Sequence, residues 1–542
     1  MAIETLIIDN WTGNLTRNDF GKINSGLAKY DTSWGYNPFF NVGQLTWFKA
    51  PGDVSSIITD SSLVLDGFQR FESGTLYTYA ISDSGKVWKI SGEGGGASNL
   101  ASLSTGTPTF AYGGTIRPYN GKIWIGHDKG ITRLNFDGTG ETVVGTWNTT
   151  NYIQNTYRPL QEFAGKLYYG NGTDDGTHVN IGEIDTTNLI TTPVKLSPGL
   201  PIGTYVRDLD NSSDFTYLLI SQSVTAPEAI APVNDFGNTA AGSSDLFQWN
   251  GTDAGVTVGT ALPGFGITAT QSFSGKQMMF MYDTFGTALY EGEKKRWTLR
   301  DQKSPFPNAT TSAGNFVVWA NPDFFWNEDS QAGALYGSIY YYGQLDENTP
   351  VGLWRVNRQA STIGGVIYQV PFNQYTTNRY ISVNTSATLQ VDSNGTHLYS
   401  LVDYSGNAGS TNKKLFIFYV APPDDSPGGW TGAVAGVYET QTQMFPQKVA
   451  VKQIRVYTNP TISNNSFNLD IIGPNGKKIT NGSFSYTFAS GSDPTSLTGS
   501  LDRINFNPAV NSTYGVGLRF TNAGSTNMTI NKVEIDVEPS GK

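Results

Sequence analysis

Asn-Gly and Asp-Gly dipeptides recur along the chain, each lying between two short runs of apolar or alternating residues. They are Asp66-Gly67, Asn120-Gly121, Asp137-Gly138, Asn171-Gly172, Asp175-Gly176, Asn250-Gly251, Asn394-Gly395, Asn475-Gly476 and Asn481-Gly482. Both dipeptides accept the positive φ angles of a tight two-residue turn, so each one predicts a β-hairpin. Helical periodicity is hard to find anywhere. The pattern therefore predicts an all-β protein.

The composition agrees with this prediction. Only 15% of the 542 residues are charged, while the chain contains 62 Gly, 29 Phe, 28 Tyr and 12 Trp. Aromatic and β-branched side chains suit the pleated, half-buried surface of a strand. A chain of this length can form two or more domains, each with its own core.

Three stretches of the chain share one plan, a small residue and Gly followed by two strands with a polar turn between them. They are "SGTLYTYAISDSGKVWKI" from Ser73, "NGKIWIGHDKGITRLNF" from Asn120 and "AGKLYYGNGTDDGTHVNIGEID" from Ala164. The repeat starts at Gly74, Gly121, Gly165 and Asp214 lie 47, 44 and 49 residues apart. A unit of roughly 40–50 residues made only of strands has the spacing of a β-propeller blade. We expect a propeller of about seven blades over residues 49–436.

The pattern changes after a Pro- and Gly-rich stretch, and we place a linker at about 421–446. Beyond it come six short alternating segments, including "KQIRVY" and "NKVEIDV". They predict a compact antiparallel β-sandwich, or jelly roll, over residues 437–542. Residues 1–48 form an N-terminal extension, which is expected to close the propeller by adding a strand to the last blade or to dock on a neighbouring molecule.

His127 and Asp128 are the first candidates for chemistry, because histidine occurs only three times in the chain. Adjacent residues of a strand point to opposite faces, so this pair does not form a catalytic dyad by itself. The two residues lie between "IWIG" and "GITRL", where a hairpin turn is expected. We assign no catalytic residue and no metal ligand from the sequence, and we do not expect an enzyme.

Two further sets of residues remain as candidates. Oxygen side chains at Asp208, Asp210 and Asp214 alternate as they do in some calcium loops, although the loop lacks the central Gly of an EF-hand. An Asx-rich inter-blade loop is the default interpretation, and we expect no cofactor. Loop aromatics at Trp319, Phe324, Phe325 and Trp326 could present an interaction surface, since aromatic side chains dominate binding hot spots. Alternatively, they fill the space between blades.

Several classes of partner are disfavoured. The net charge is −10 and no block of Lys and Arg occurs, so we do not expect nucleic-acid binding. No apolar run is long enough for a membrane helix, so membrane insertion is not expected. The N-terminus has no signal-peptide pattern, and the chain contains no cysteine.

The N-terminal segment contains three recognisable runs. They are "DNWTG" at Asp9–Gly13, "INSGLAKY" at Ile23–Tyr30 and "NPFFNVGQLTW" at Asn37–Trp47. With these runs the segment resembles the openings of β-propeller virion proteins of tailed bacteriophages. The C-terminal region resembles the galactose-binding-like sandwiches that are appended to proteins recognising cell surfaces.

The resemblance implies a structural protein of a tailed-phage virion, in its tail, that assembles through static interfaces and takes part in host attachment. Its partners would be other tail proteins, further copies in a ring, and a host-surface glycan bound by the sandwich. Such a protein is assembled in the host cytoplasm and ends in the virion. Two alternatives remain open, namely a propeller glycoside hydrolase or lyase with a carbohydrate-binding module, and a lectin-like adhesin.

Overall fold

The computed structural model describes residues 3–9, short stretches between 30 and 58, and most of 64–223 and 244–302. It also describes individual strands between 325 and 419, and most of 436–540. Within these ranges every regular element is a strand, which confirms the all-β prediction. No described residue belongs to a helix that is long and apolar enough to cross a membrane. The first five strands are β1 (Glu4–Ile8), β2 (Tyr30–Trp34), β3 (Tyr36–Asn37), β4 (Leu45–Trp47) and β5 (Gly52–Ile58).

Among the described residues, the next 27 strands and β5 form seven antiparallel sheets of four strands each. Sheet 1 contains β6 (Val64–Glu72), β7 (Thr75–Ser82), β8 (Lys86–Ser91) and β9 (Ala97–Ser102); sheet 2 contains β10 (Thr115–Tyr119), β11 (Lys122–His127), β12 (Gly130–Leu134) and β13 (Thr142–Val144); sheet 3 contains β14 (Leu160–Phe163), β15 (Lys166–Gly172), β16 (Asn180–Asp185) and β17 (Ile190–Val194). Sheet 4 contains β18 (Tyr205–Asn211), β19 (Leu218–Ser223), β20 (Ser244–Trp249) and β21 (Thr257–Leu262); sheet 5 contains β22 (Gly266–Phe273), β23 (Lys276–Asp283), β24 (Gly286–Glu293) and β25 (Arg296–Gln302). Sheet 6 contains β26 (Phe325–Trp326), β27 (Ala334–Ile339), β28 (Gly352–Asn357) and β29 (Ile367–Gln369); sheet 7 contains β30 (Gln390–Val391), β31 (His397–Asp403), β32 (Lys413–Tyr419) and β5.

The hairpin between the first two strands has the same turn in sheets 1, 2 and 3. The central residues have φ angles of +50° and +85° at Ser73-Gly74, +47° and +70° at Asn120-Gly121, and +49° and +74° at Ala164-Gly165. Two successive positive φ angles are what a type I′ turn requires. The three stretches that share a plan in the sequence therefore share a hairpin in the structure.

Three of the predicted turns are not turns. Asp66-Gly67 lies inside β6, Asn171-Gly172 inside β15, and Asn481-Gly482 inside a later strand of residues 478–487. The strand pairing of β6 and of β15 shifts register at these places, as it does at a β-bulge. Asn171 and Asn481 have φ angles of +59° and +63°. A bulge can use the same left-handed conformation as a turn, so the dipeptide alone does not distinguish them.

Sheets 1 to 4 pack face to face in chain order. In β11, Ile123 and Ile125 lie in a cluster with Phe68 and Tyr79 of sheet 1. Trp124, between them, lies in a cluster with Tyr169 and Leu167 of sheet 3. Side chains alternate across a strand, so sheet 2 buries both of its faces against its neighbours. A third cluster joins sheets 3 and 4 through Tyr168, Ile220 and Trp249.

The remaining strands belong to one sheet of eleven strands. They are β33 (Gly436–Thr440), β34 (Gln443–Thr458), β35 (Ser466–Ile472), β36 (Lys478–Thr487), β37 (Asp502–Phe506), β38 (Val510–Asn522) and β39 (Thr529–Pro539), together with β1 to β4. All six segments predicted from alternation contain a strand. The first part of β38 pairs with β34, and its second part pairs with β33 and β35.

The N-terminal segment joins the C-terminal sheet. β1 pairs with β39, β2 with β33, and β4 with the start of β39. The strand that completes sheet 7 is β5, which pairs with β32. Residues 1–48 were expected to add that strand or to dock on a neighbour. In the structure the fourth strand of sheet 7 comes from residues 52–58, and β1 to β4 lie in the C-terminal sheet.

The shared turns permit a test of the hairpin geometry. Asparagine adopts the left-handed conformation more readily than serine or alanine. We expect Ser73→Asn and Ala164→Asn to raise the free energy of local unfolding by about 0.5 kcal/mol each. Hydrogen exchange of the hairpin amides measures this gain. Asn120→Ala, at the same turn position in sheet 2, should lower the protection of its hairpin by a similar amount, and equal protection in all three variants would contradict the assignment.

Candidate functional site

His127 is the last residue of β11 and is buried, with 2% of its surface exposed. Its Nε2 lies 3.0 Å from the Thr132 hydroxyl, and its Nδ1 accepts a hydrogen bond of 3.2 Å from the backbone N–H of Lys129. Burial and the charges of Arg158 and Lys129 lower the pKa of His127 to about 3. This imidazole is neutral at physiological pH and bonds to its own hairpin.

Asp128 does not share a partner with His127. Its carboxylate accepts hydrogen bonds from the backbone N–H and the hydroxyl of Thr109, in the segment that leads from sheet 1 to sheet 2. The fully buried Arg158 donates to the Asp128 carbonyl oxygen at 3.2 Å from the segment that leads into sheet 3. Asp128 thus connects the hairpin to the segments on either side, while His127 bonds within it.

Two of the three aspartates of the calcium alternative bond to residues close to them in the sequence. Asp208 accepts from the backbone N–H of Leu209 at 2.9 Å. Asp214 accepts from the hydroxyls of Ser212 and Thr216, which lower its pKa to about 2. Asp210 lies in β18 between them. Among the described side chains, no three His, Cys, Asp or Glu residues lie close enough together to hold a metal ion.

The aromatic candidates lie largely beyond what the structure describes. Trp319 and Phe324 are outside the described residues. Phe325 and Trp326 form β26, whose backbone pairs with Tyr336 and Leu335 of β27. The choice between an interaction surface and packing between sheets therefore stays a prediction.

Buried polar side chains connect successive sheets, and sequence analysis did not find them. Asn171 accepts from the backbone N–H of Val206 at 2.7 Å and donates to the carbonyl of Val206 at 2.9 Å. It thereby joins sheet 3 to the first strand of sheet 4. At the junction of sheets 1 and 2, buried Asp66 accepts from the backbone N–H of Ile116 at 2.9 Å and from the Arg117 guanidinium. An Asn-Gly or Asp-Gly dipeptide within a strand was the available signal.

The largest charged network of the described residues lies on one face of the C-terminal sheet. Arg455 of β34 donates to Glu534 at 2.7 Å through Nε and to both carboxylate oxygens of Asp536 at 2.5 and 2.7 Å. These three side chains are only 13–16% exposed. Lys532 and Tyr457 also donate to Glu534. We call this set, with Thr5, the Arg455 network.

The N-terminal strand is part of this network. Thr5 of β1 donates from its hydroxyl to Asp536 at 2.8 Å. Arg455 lowers the pKa of Asp536, while Lys532 and Arg455 lower the pKa of Glu534 to about 2. Both carboxylates are therefore ionised and fully engaged at neutral pH. Such an arrangement fixes strands relative to one another and holds no proton for catalysis.

Replacing Arg455 tests this role. Arg455→Gln leaves two partly buried carboxylates without their bidentate donor, and we expect the opening free energy of β39 to fall by about 2 kcal/mol. Hydrogen exchange of amides 530–538 measures this change. Arg503→Gln, an exposed arginine of neighbouring β37 that acts on Asp536 through its charge and hydrogen-bonds to Asn505, is the matched control and should change protection by less than about 0.5 kcal/mol. Equal effects of the two variants would contradict the network.

The edge of this sheet carries exposed apolar side chains. Ile3 and Ile7 are 58% and 54% exposed. They lie on the same face of the N-terminal segment as Thr5, because alternate residues of a strand share a face. Exposed isoleucines on a strand without proline or lysine are unusual, since edge strands are commonly protected by such residues. The face of the N-terminal segment that carries Ile3, Thr5 and Ile7 is the candidate interaction surface.

No protein-family model matches the sequence, and no curated protein matches it. Similar solved structures include a chain of the mitotic checkpoint complex, with a TM-score of 0.40 and 13% identity over 70% of this chain and 96% of that chain. The Dos1 propeller has a TM-score of 0.39 and 10% identity over 73% of this chain and 94% of its own. The computationally designed Ika8 protein has a TM-score of 0.36 and 9% identity over 68% and 99%.

Proposed function

We propose that the seven four-stranded sheets are the blades of one β-propeller. Three observations support this. Sheets 1 to 4 pack face to face in chain order. The first strands of sheets 1 to 6 lie beside one another in series, as strands nearest a common axis do. Sheet 7 is completed by β5 from the other end of the chain, which closes a ring without leaving an edge.

The eleven-stranded sheet is proposed to be a β-sandwich whose two layers share β38. Phe506 lies in β37, which belongs to the layer that contains β34. Its ring lies 5.3 Å from the ring of Phe484 and 6.1 Å from the ring of Phe467, both in the β35–β36 layer. Aromatic contacts between strands that do not pair with each other are expected of two facing sheets.

On this fold the chain acts as a structural protein of a tailed-phage virion, in its tail. The observation that carries the proposal is the double closure of the chain. β5 completes sheet 7, and β1 to β4 lie in the C-terminal sheet. Residues 4–58 therefore pair with strands of two different sheets, so removing this segment unpairs both the eleven-stranded sheet and sheet 7. That suits a component that must keep its shape outside the cell, and the N-terminal resemblance points to the same class.

The proposed mechanism is assembly through static protein–protein interfaces. Neighbouring tail proteins and further copies of this chain are the partners, and the C-terminal unit faces outward or binds the next component. The charged side chains of the Arg455 network bind one another and are therefore held in fixed positions. This face can contact a partner protein as a rigid surface.

Virions of a phage that encodes this chain provide the test. We expect antibodies against residues 437–542 to label the tail of purified particles, and the chain to be present in fixed multiple copies by quantitative mass spectrometry. Discovery of the chain only as a soluble protein of the host cytosol would refute the proposal. Hydrolysis of host polysaccharide by the purified chain would favour the enzyme alternative instead.

A further inference from the structure

Asn-Gly dipeptides share a chemistry that the structure permits at some of them and hinders at others. The backbone nitrogen of the glycine can attack the side-chain Cγ of the preceding asparagine, because glycine has no Cβ to obstruct the approach. Four such dipeptides lie within the described residues, namely Asn120-Gly121, Asn171-Gly172, Asn250-Gly251 and Asn481-Gly482. Two more, Asn394-Gly395 and Asn475-Gly476, lie outside them. The freedom of the two reacting groups decides where the attack occurs.

At two of these sites the asparagine side chain is held by hydrogen bonds. The amide of buried Asn171 binds both backbone groups of Val206, so it cannot turn without breaking the junction to sheet 4. The side-chain oxygen of Asn250 accepts from the backbone N–H groups of Thr252 at 3.0 Å and Asp253 at 2.8 Å. Attack on either side chain therefore requires these bonds to break first.

Asn120 and Gly121 differ from these sites, because they form an exposed turn at the tip of the first hairpin of sheet 2. Among the described residues, none forms a hydrogen bond with the Asn120 side chain. The space around Gly121 is open, since a Cβ placed there would have no atom within 4 Å. The strand pairing ends at Tyr119 and Lys122 and does not include the Gly121 nitrogen. Both reacting groups are therefore free and in contact with water.

We propose that Asn120 is a site of spontaneous deamidation. The Gly121 nitrogen gives up its proton and bonds to Cγ of Asn120, while the bond from Cγ to Nδ2 breaks and the departing nitrogen takes up a proton and leaves as ammonia. Water then opens the resulting succinimide ring at either of its two carbonyl carbons. One opening leaves an aspartate, and the other leaves an isoaspartate, in which the main chain runs through the former side chain. Water is the only other reactant.

Asn481 provides a comparison within the same chain. Its side chain is exposed, and in the described part of the chain its amide has no hydrogen-bond partner. Gly482, however, is buried within β36, where a Cβ would lie 3.0 Å from Cβ of Ile471. The strand must open before the Gly482 nitrogen can react, so we expect Asn481 to deamidate more slowly than Asn120.

The product changes the contacts at the hairpin tip. The Tyr119 carbonyl accepts from Nε1 of Trp124 at 2.9 Å, and the Tyr119 hydroxyl donates to the Gly165 carbonyl of the next hairpin at 2.6 Å. Deamidation adds a negative charge beside these bonds, and isoaspartate also lengthens the main chain by one carbon. We therefore expect the reaction to loosen the contact between the hairpins of sheets 2 and 3.

Peptide mapping by mass spectrometry tests the assignment on the purified full-length chain. The folded protein is incubated in mildly alkaline buffer, and a parallel sample is incubated in denaturant, where the four asparagines should deamidate at comparable rates. In the folded protein we expect Asn120 to react at least about tenfold faster than Asn171 and Asn250, with Asn481 between them. Asn120→Ala lacks the reacting amide and is the control, so its peptide should show no mass change.

The same experiment has outcomes that would overturn the proposal. Equal rates at Asn120 and Asn171 in the folded chain would show that the reaction needs unfolding and not an exposed turn. An unchanged Asn120 after the denatured sample has reacted would refute the site outright. Fragmentation by electron transfer distinguishes isoaspartate from aspartate, and we expect both at position 120. Aspartate alone would show direct hydrolysis of the side-chain amide and exclude attack by the Gly121 nitrogen.

Discussion

Replacing Asn171 with alanine is expected to lower the opening free energy of β18 by about 3 kcal/mol. The amide of Asn171 forms two hydrogen bonds to the backbone of Val206, and all of these groups are buried. Alanine leaves a buried N–H and a buried carbonyl without this partner, and each costs roughly 1–3 kcal/mol. Hydrogen exchange of amides 205–211 measures the loss, because the Val206 amide is itself one of the bonded groups.

Two further variants separate the hydrogen bonds from backbone strain. Asn171 has a φ angle of +59°, which alanine tolerates poorly and glycine does not resist. Asn171→Gly should therefore lose about 2 kcal/mol, less than alanine but still most of the effect. Asn188→Ala, at an exposed turn of the same sheet, should leave β18 unchanged. Full recovery in the glycine variant would show that strain, and not the junction to sheet 4, explains the loss.

This residue also shows where local sequence reasoning stops. The repeated hairpins could be predicted, because Asn120-Gly121 and its counterparts carry their turn preference within two residues. Asn171-Gly172 carries the same preference but lies within β15, where the left-handed residue directs its amide at the next sheet. Whether such a dipeptide forms a hairpin turn or lies within a strand depends here on the backbone of Val206, 35 residues away. No local sequence pattern contains that information.

The C-terminal region could likewise be predicted from the sequence only in part. Alternation in "KQIRVY" and "NKVEIDV" predicts one polar face on each strand, and the structure pairs those faces through Arg455, Glu534 and Asp536. The third strand of that surface comes from the opposite end of the chain. Glu4 lies opposite Val537. The sequence suggested that residues 1–48 add a strand to another element or dock on a neighbour, but that β39 is the partner of β1 follows only from the folded chain.

His127 provides the remaining large effect on stability, because its environment prevents the neutral ring from binding a second proton. Its Nδ1 accepts from the Lys129 amide, so in the neutral ring Nε2 carries the proton and donates to the Thr132 hydroxyl. A second proton would have to enter at Nδ1 and break the first of these bonds. The ring also packs edge-on against Phe110 at 5.6 Å, and Arg158 and Lys129 both oppose positive charge.

Acid should therefore destabilise sheet 2 through His127. The unfolded chain binds a proton near pH 6.5, whereas the folded imidazole does so only at about 3, so stability falls as the pH drops below 6.5. Between pH 6.5 and 4.5 we expect the opening free energy of amides 122–134 to fall by about 2 kcal/mol more than in His127→Gln, which donates to Thr132 without titrating. With only three histidines, selective labelling resolves the imidazole by NMR. A His127 resonance that titrates near pH 6.5, or parallel pH profiles for the two proteins, would contradict the buried neutral ring.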